Sequence, residues 1–190
     1  MVTQVRLQHC PYAMIASMSL NSRRKLLSTC AAGLGLLFAS VVARTQTLPA
    51  TQGETLAGKP LVLAQALQGH AGVLIASFSK DAGSGAGAWA KAIRQDPALA
   101  GVAVYQAAML ERAPGFIRGI VRSGLRKQVP AAEQDHFVVL VQDEPLWRTY
   151  FGVGTDKDPY VVLLDAGGRV LWHGHGDAQN LEPRLKAALH

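Results

Sequence analysis

The sequence predicts an α/β domain with a central mixed sheet and helices on both faces. Short, continuous apolar runs alternate with amphipathic runs of helical length, a pattern typical of parallel strands joined by helices. Near the C-terminal end, two apolar runs are joined by Asp-Ala-Gly-Gly at residues 165–168, the composition of a tight hairpin turn. Helical connections join parallel strands and a hairpin joins antiparallel strands, so the predicted sheet is mixed.

The predicted elements follow one another in the order β-β-α-β-α-β-α-β-β-α. Strands are predicted where apolar residues lie between turn residues: 60–67, 72–78, 101–106, 136–141 and the two arms of the hairpin. Helices are predicted where apolar residues recur at helical spacing: 86–95, 113–127, a short helix in 143–153, and 181–189. The apolar face of the 113–127 helix comprises Phe116, Ile117, Ile120, Val121 and Leu125.

The positive charge is concentrated at the start of the chain. The 190 residues carry a formal net charge of +6. Residues 1–43 contain four basic residues and no acid, so 15 basic and 13 acidic residues remain in the rest of the chain. That small excess does not favour a nucleic-acid partner.

The first 43 residues have the three parts of an export signal. Ser22–Lys25 is a charged segment, residues 26–42 are apolar, and small side chains follow up to Ala43. The paired arginines resemble a twin-arginine signal, and Met18 is an alternative start. The predicted organisation is an export signal over 1–43, a polar linker over 44–58 and one domain over 59–190. A periplasmic location is therefore predicted, with an uncleaved membrane anchor as the alternative.

Both cysteines, Cys10 and Cys30, lie in this leader. A mature domain without it has no disulfide, no cysteine nucleophile and no thiolate metal site. No cofactor is predicted.

Residues 150–176, YFGVGTDKDPYVVLLDAGGRVLWHGHG, resemble the C-terminal half of thioredoxin-like domains, particularly those of the peroxiredoxin type. The resemblance extends over residues 56–189. It implies a cis proline at Pro159 and a reactive cysteine where the 72–78 strand meets the next helix. Residues 79–88 at that place form a loop of small residues without a cysteine. The chain is therefore not expected to be a thiol-disulfide oxidoreductase.

A narrower resemblance starts at residues 122–141, RSGLRKQVPAAEQDHFVVLV, and continues into the closing hairpin. These segments are similar to the family of mitochondrial assembly factors for the membrane sector of ATP synthase. The matching positions are Leu125, Arg126, Lys127, Gln128, Pro130, Trp172 and Gly174. The resemblance implies that the client is a subunit of a membrane complex.

The function predicted from these features is a non-enzymatic protein-binding or complex-assembly factor. The groove beside Pro159 is the expected docking edge, completed by the small-residue loop and by arginines that recur every four residues on one helix face. The predicted partner-binding residues are Pro159, Tyr160, Ser79, Ser84, Arg118, Arg122, Arg126 and Lys127. The arginine stripe also suits an anionic membrane surface.

The alternative is a thiol-free enzyme or a metal-binding protein. His173 and His175 are two residues apart on a predicted strand, so both point to the same side, and Asp177 follows closely. Two imidazoles and a carboxylate are suitable metal ligands.

Overall fold

The structure is a computed structural model that describes residues 47–189, apart from the side chain of Leu181. The predicted export signal, its twin-arginine motif, the alternative start and both cysteines lie outside the described residues. Those interpretations stay predictions. No helix within residues 47–189 is long and apolar enough to cross a membrane.

The domain is built on one mixed sheet with the strand order β2-β1-β5-β4-β3-β6-β7. The central strands β3, β4 and β5 are parallel, and the other neighbours pair antiparallel. The strands are β1 Gln52–Thr55, β2 Pro60–Val62, β3 Gly72–Ser77, β4 Ala103–Met109, β5 Phe137–Leu140, β6 Tyr160–Leu164 and β7 Val170–His175. The helices are α1 Leu63–Ala66, α2 Lys80–Gln95, α3 Gly115–Gln128, α4 Glu144–Phe151 and α5 Ala178–Ala187.

Helices cover both faces of the sheet, as the sequence predicts. Successive side chains of β3 point to opposite faces, and all are buried. Val73 and Ile75 belong to the apolar cluster under α2 and α5. Leu74 and Ala76 belong to the cluster under α1 and α4. A strand buried on both faces explains the uninterrupted apolar run in the sequence.

The predicted hairpin joins β6 and β7. The Asp165 carboxylate accepts hydrogen bonds from the backbone N–H groups of Gly167 and Arg169. Gly168 has a φ of +78°, a value that favours glycine. The turn residues thus supply both the side-chain acceptor and the backbone freedom that a tight connection requires.

Three predicted boundaries need correction. Residues 52–55, assigned to the linker, form β1, which the sequence did not indicate because this short strand is mostly polar. Glycine is required there, since a Cβ on Gly53 would lie 2.5 Å from Cγ1 of Val138. The run 60–67 divides into β2 and the short helix α1. The terminal helix starts at Ala178, before the predicted residue 181.

The predicted small-residue loop is also wrong, because α2 begins at Lys80. Ser79 is the N-cap of the helix, and its hydroxyl oxygen accepts a hydrogen bond from the N–H of Ala82. Asp81 places a negative charge in the first turn, where the helix dipole favours it. Burial of Ala82 and Ala86 outweighs the low helix propensity of the interspersed glycines.

Candidate functional site

Ser79 lies at the position where the family resemblance places a reactive cysteine. Its hydroxyl accepts from the N–H of Ala82 and donates to the backbone carbonyl of Asp156. Both hydrogen-bonding roles of the group are therefore in use. Ser79 caps α2 and ties the start of that helix to the loop before β6. Ser84 lies farther along α2, where it is exposed.

Pro159 and Tyr160 are both buried. Pro159 packs against Gly85 of α2, where an added Cβ would lie 3.0 Å from the proline Cγ and Cδ. The Tyr160 hydroxyl accepts from the N–H groups of Gly154 and Thr155 and donates to the Thr155 carbonyl. Neither side chain offers a surface to a partner in this structure. Both instead fix the loop that runs into β6.

The arginines of α3 are turned toward the protein. The Arg118 guanidinium donates to the carbonyls of Glu111 and Ala113. Arg122 forms an ion pair with Glu54 of β1. Arg118 and Arg122 therefore do not face solvent as the predicted arginine stripe would. Backbone carbonyls and a carboxylate of neighbouring segments bind their guanidinium groups and turn this side of the helix toward the domain.

The C-terminal turn of α3 combines one bonded and one exposed cation. Arg126 donates through Nε to the carbonyl of Leu56 at 2.6 Å, although much of its side chain remains exposed. Lys127 is exposed. Arg126 and Lys127 are the exposed part of the predicted basic surface, whereas Arg118 and Arg122 are half-buried.

The histidines of β7 point to the exposed side of the strand, as their spacing predicts. His175 Nδ1 lies 2.9 Å from a carboxylate oxygen of Asp158, and its ring stacks on Tyr160. Asp177 is instead the N-cap residue of α5. Within residues 47–189, no three His, Cys, Asp or Glu side chains come together as a metal-ligand set. The geometry gives the metal alternative no ligand set.

A charged cluster that the sequence analysis did not single out lies at the carboxyl ends of the parallel strands β4 and β5. Ligand sites in open α/β sheets are common at this end of the strands. An open cavity of about 450 Å³ is present there. We call the cluster the acid–arginine site; it comprises Glu111, Arg112, Glu144, Arg148 and Asp156.

Arg148 is the centre of the acid–arginine site. Its Nη1 and Nη2 atoms lie 2.7 and 2.9 Å from the two carboxylate oxygens of Asp156, a bidentate pair. Nε donates to Glu144 at 2.7 Å, and the guanidinium carbon lies 5.0 Å from the centre of the Phe78 ring. The hydrogen bonds to Asp156 raise the pKa of Arg148, and those same bonds lower the pKa of Asp156.

Glu144 is held rigidly at the start of α4. The residue is only 3% exposed, and its backbone N–H donates to the Glu111 carboxylate. The preceding Asp143 has a φ of +62° and is the one non-glycine residue with positive φ within residues 47–189. Its carboxylate accepts a hydrogen bond from the hydroxyl of Thr51 at 2.9 Å. Strained backbone of this kind persists where the surroundings fix it.

Arg112 is the accessible cation of the acid–arginine site. Its side chain is 73% exposed, and Nη1 lies 3.9 Å from Glu144 and 3.8 Å from Asp156. Contacts of this length between exposed groups are weak, so a carboxylate of a partner can compete for the guanidinium. The residues that line the cavity are Glu111, Arg112, Glu144, Pro145 and Arg148, which include neither a thiol nor an imidazole. The arrangement is suited to binding a charged group of a partner.

The signal for this site was present in the sequence. Glu111–Arg112 and Asp143–Glu144 each follow an apolar run closely, and the carboxyl ends of neighbouring parallel strands meet at one end of the sheet. What the sequence did not reveal is that β4 and β5 are neighbours in the sheet. The chain order of the strands does not determine it.

Comparisons with known proteins support the fold. No family model matches the chain, and no curated protein matches it. A putative electron transfer protein from Aquifex aeolicus superposes with a TM-score of 0.54 at 13% identity, over 76% of this chain and 91% of the other. A putative thiol:disulfide interchange protein DsbE from Chlorobium tepidum gives 0.51 at 19% identity, over 76% and 96%. BsSco, a member of the Sco family of cytochrome c oxidase assembly proteins, gives 0.50 at 12% identity, over 75% and 92%.

The chain therefore has the thioredoxin-like α/β fold, with its mixed seven-stranded sheet and covering helices. These comparisons give no support to the narrower resemblance to ATP synthase assembly factors.

Proposed function

We propose that this protein is an exported, non-enzymatic binding factor that holds a segment of a partner protein at the acid–arginine site. One observation carries the non-enzymatic part of the proposal. The hydroxyl of Ser79 is used both as acceptor and as donor, at the place where related enzymes have a reactive thiol. Residues 44–190 contain no cysteine. Thiol–disulfide exchange has no nucleophile in this domain.

The surroundings of the cavity favour a protein partner. Leu146 on the first turn of α4 is an exposed large apolar side chain. Phe116 on the first turn of α3 is another, and both helices begin at the carboxyl end of the sheet. Aromatic and arginine side chains are enriched in protein interfaces, and charged groups usually lie at the rim. The resemblance to ATP synthase assembly factors makes a membrane-complex subunit the proposed client.

Site-specific crosslinking in cells tests the proposal. A photoreactive amino acid replaces Arg112 or Leu146 in the full chain, and a matched control replaces Leu171 on the exposed side of β7. We expect the first two positions to crosslink the same protein, identified by mass spectrometry, and position 171 to give no such product. Equal products from all three positions, or none from 112 and 146, contradict binding at this site.

A reductase assay tests the non-enzymatic part separately. The full chain, with Cys10 and Cys30 present, is incubated with insulin and a dithiol reductant, and the variant with Cys10→Ser and Cys30→Ser is the control. Turbidity should develop no faster than with reductant alone. A rate above that background rejects a non-enzymatic role, whatever the crosslinking result.

A further inference from the structure

Helix α3 exposes large apolar side chains. Phe116 is 73% exposed and Ile120, one turn later, is 65% exposed. All of α3 lies within the described residues, and none of its side chains is buried. Burying both groups would release a large apolar area from water. The helix therefore presents an apolar ridge that no side chain within residues 47–189 covers.

The chain around this ridge is basic. Between residues 112 and 132 there is no acidic residue. Glu54 pairs with Arg122, and Glu133 pairs with Arg94. At the start of the stretch, Glu111 precedes Arg112 directly, and Glu144 and Asp156 lie within 4 Å of its guanidinium. The five cations in this stretch are Arg112, Arg118, Arg122, Arg126 and Lys127. An apolar ridge in a basic field matches a partner that is apolar inside and negatively charged at its surface.

The exposed cations flank the ridge. Arg112 precedes Phe116 by four residues, and Arg126 and Lys127 follow Ile120 by six and seven. Their side chains are exposed, whereas Arg118 and Arg122 are half-buried in contacts with the domain. The 14 residues of α3 form a rod of roughly 21 Å. The apolar groups lie between Arg112, which precedes the helix, and the cations of its last turn.

We propose that α3 lies flat on the surface of an anionic lipid bilayer, with Phe116 and Ile120 inserted among the lipids. Arg112, Arg126 and Lys127 then contact lipid phosphates. Helices with basic residues and one apolar face bind the bilayer interface in this way. This proposal goes beyond the binding function proposed above, although it shares Arg112 and Phe116 with the surroundings of the acid–arginine site.

Charge argues against a second copy as the occupant. If two copies paired through Phe116 and Ile120 around a two-fold axis, with the helices antiparallel, the N-terminal cation of each would approach the C-terminal cations of the other. No acidic residue between 112 and 132 is present to compensate. A bilayer rich in acidic lipids supplies negative charge to the cations at both ends of the ridge at once.

A fluorescent label on the ridge tests the proposal without interference from the leader. In the full chain with Cys10→Ser and Cys30→Ser, an NBD group is attached after Ile120→Cys, with Leu171→Cys as the matched control on β7. Vesicles contain phosphatidylglycerol and phosphatidylcholine in equal parts, or phosphatidylcholine alone. We expect a blue shift and a several-fold rise in NBD emission at position 120 only, with the anionic vesicles only.

Further variants separate the contributions. Phe116→Ser should weaken vesicle binding measured by the label at 120 on the order of tenfold, because the aromatic ring that would insert into the bilayer is lost. Lys127→Gln should weaken it roughly fivefold at low salt and have little effect at high salt. Circular dichroism checks that the variants stay folded, as the exposure of both residues leads us to expect.

Several results would overturn the membrane proposal. One is sedimentation of the protein with vesicles while the label at 120 does not respond, since the leader then makes the contact. Another is an equal response at 120 and 171. An emission change that depends on protein concentration without vesicles identifies self-association. A rise in NBD emission at position 120 on addition of an acidic protein, with no rise on addition of vesicles, identifies a protein partner.

Discussion

A Cβ atom on Gly85 would lie 3.0 Å from both Cγ and Cδ of Pro159. Helix α2 and the loop before β6 can approach each other this closely because residue 85 has no side chain. Pro159 is buried, so its ring has little room to move away. This contact fixes the position of the loop that carries Asp156.

Replacement of this glycine should therefore destabilise the protein. Gly85→Ala gains helix propensity but forces overlap with the proline ring, and we expect a net loss of about 1 kcal/mol in the free energy of unfolding. Gly87→Ala is the matched control, since a Cβ there meets nothing within 4 Å. That change should stabilise by about 1 kcal/mol. Urea unfolding measures both, and equal effects would contradict the contact.

Ser79, the N-cap of α2, and Ser84, within the helix, should differ in the same experiment. Ser79→Ala removes the N-cap acceptor and the bond to the Asp156 carbonyl, and should cost about 1–2 kcal/mol. Ser84→Ala changes an exposed helical position and should stabilise slightly, because alanine has the higher helix propensity. If Ser79→Ala proved neutral, its role as the cap would be rejected.

Much of the fold could be predicted because burial imposes a pattern on the sequence. The strand at 72–78 is buried on both faces and is therefore continuously apolar, and the 165–168 turn has the residues that a hairpin needs. The start of α2 was missed because its glycines disfavour a helix locally. Their place is explained only by the tertiary packing of the neighbouring alanines and by the Gly85–Pro159 contact.

The orientation of α3 and the acid–arginine site lie beyond what periodicity can predict. Periodicity shows that α3 has an apolar and a basic face, but the carbonyls and the carboxylate that bind Arg118 and Arg122 come from other segments. Glu111 and Glu144, in the same way, are 33 residues apart in the chain. Their contact depends on β4 and β5 being neighbours.

Tyr150 and Tyr160 should differ in their response to loss of the hydroxyl group. The Tyr150 hydroxyl is buried and has no hydrogen-bond partner among the described residues, so Tyr150→Phe should leave stability unchanged or increase it. The Tyr160 hydroxyl makes three hydrogen bonds to the backbone of residues 154 and 155. Tyr160→Phe should therefore cost about 1–3 kcal/mol. Similar losses in both variants would contradict this assignment.

Tyr150 should also contribute to unfolding at high pH. Burial raises the pKa of its phenol to about 12, from an ordinary value of about 10. The folded state then holds the proton more tightly, so this contribution is present below pH 10 and is lost as the pH rises toward 12. Tyr150→Phe should make the fall in stability between these pH values shallower. Urea unfolding in that pH range measures the difference.

Arg148 should contribute more to stability than Arg112, although both belong to the same site. Arg148→Gln breaks the bidentate pair with Asp156 and leaves buried Glu144 without its closest cation, which should cost about 2–3 kcal/mol. Arg112→Gln changes a guanidinium that is 73% exposed and at least 3.8 Å from its nearest carboxylates. That loss should stay below about 0.5 kcal/mol.

The pH dependence of the free energy of unfolding distinguishes loss of the Arg148–Asp156 ion pair from a general packing defect. Because Arg148 lowers the pKa of Asp156, the pair stabilises the fold above the ordinary carboxyl pKa of about 3.9. That stability is lost as the pH falls through the lowered value in the folded state. Urea unfolding of Arg148→Gln should therefore show a smaller decline with acid than the parent protein and Arg112→Gln. Parallel declines in all three proteins would mean that Asp156 gains no stabilisation from Arg148.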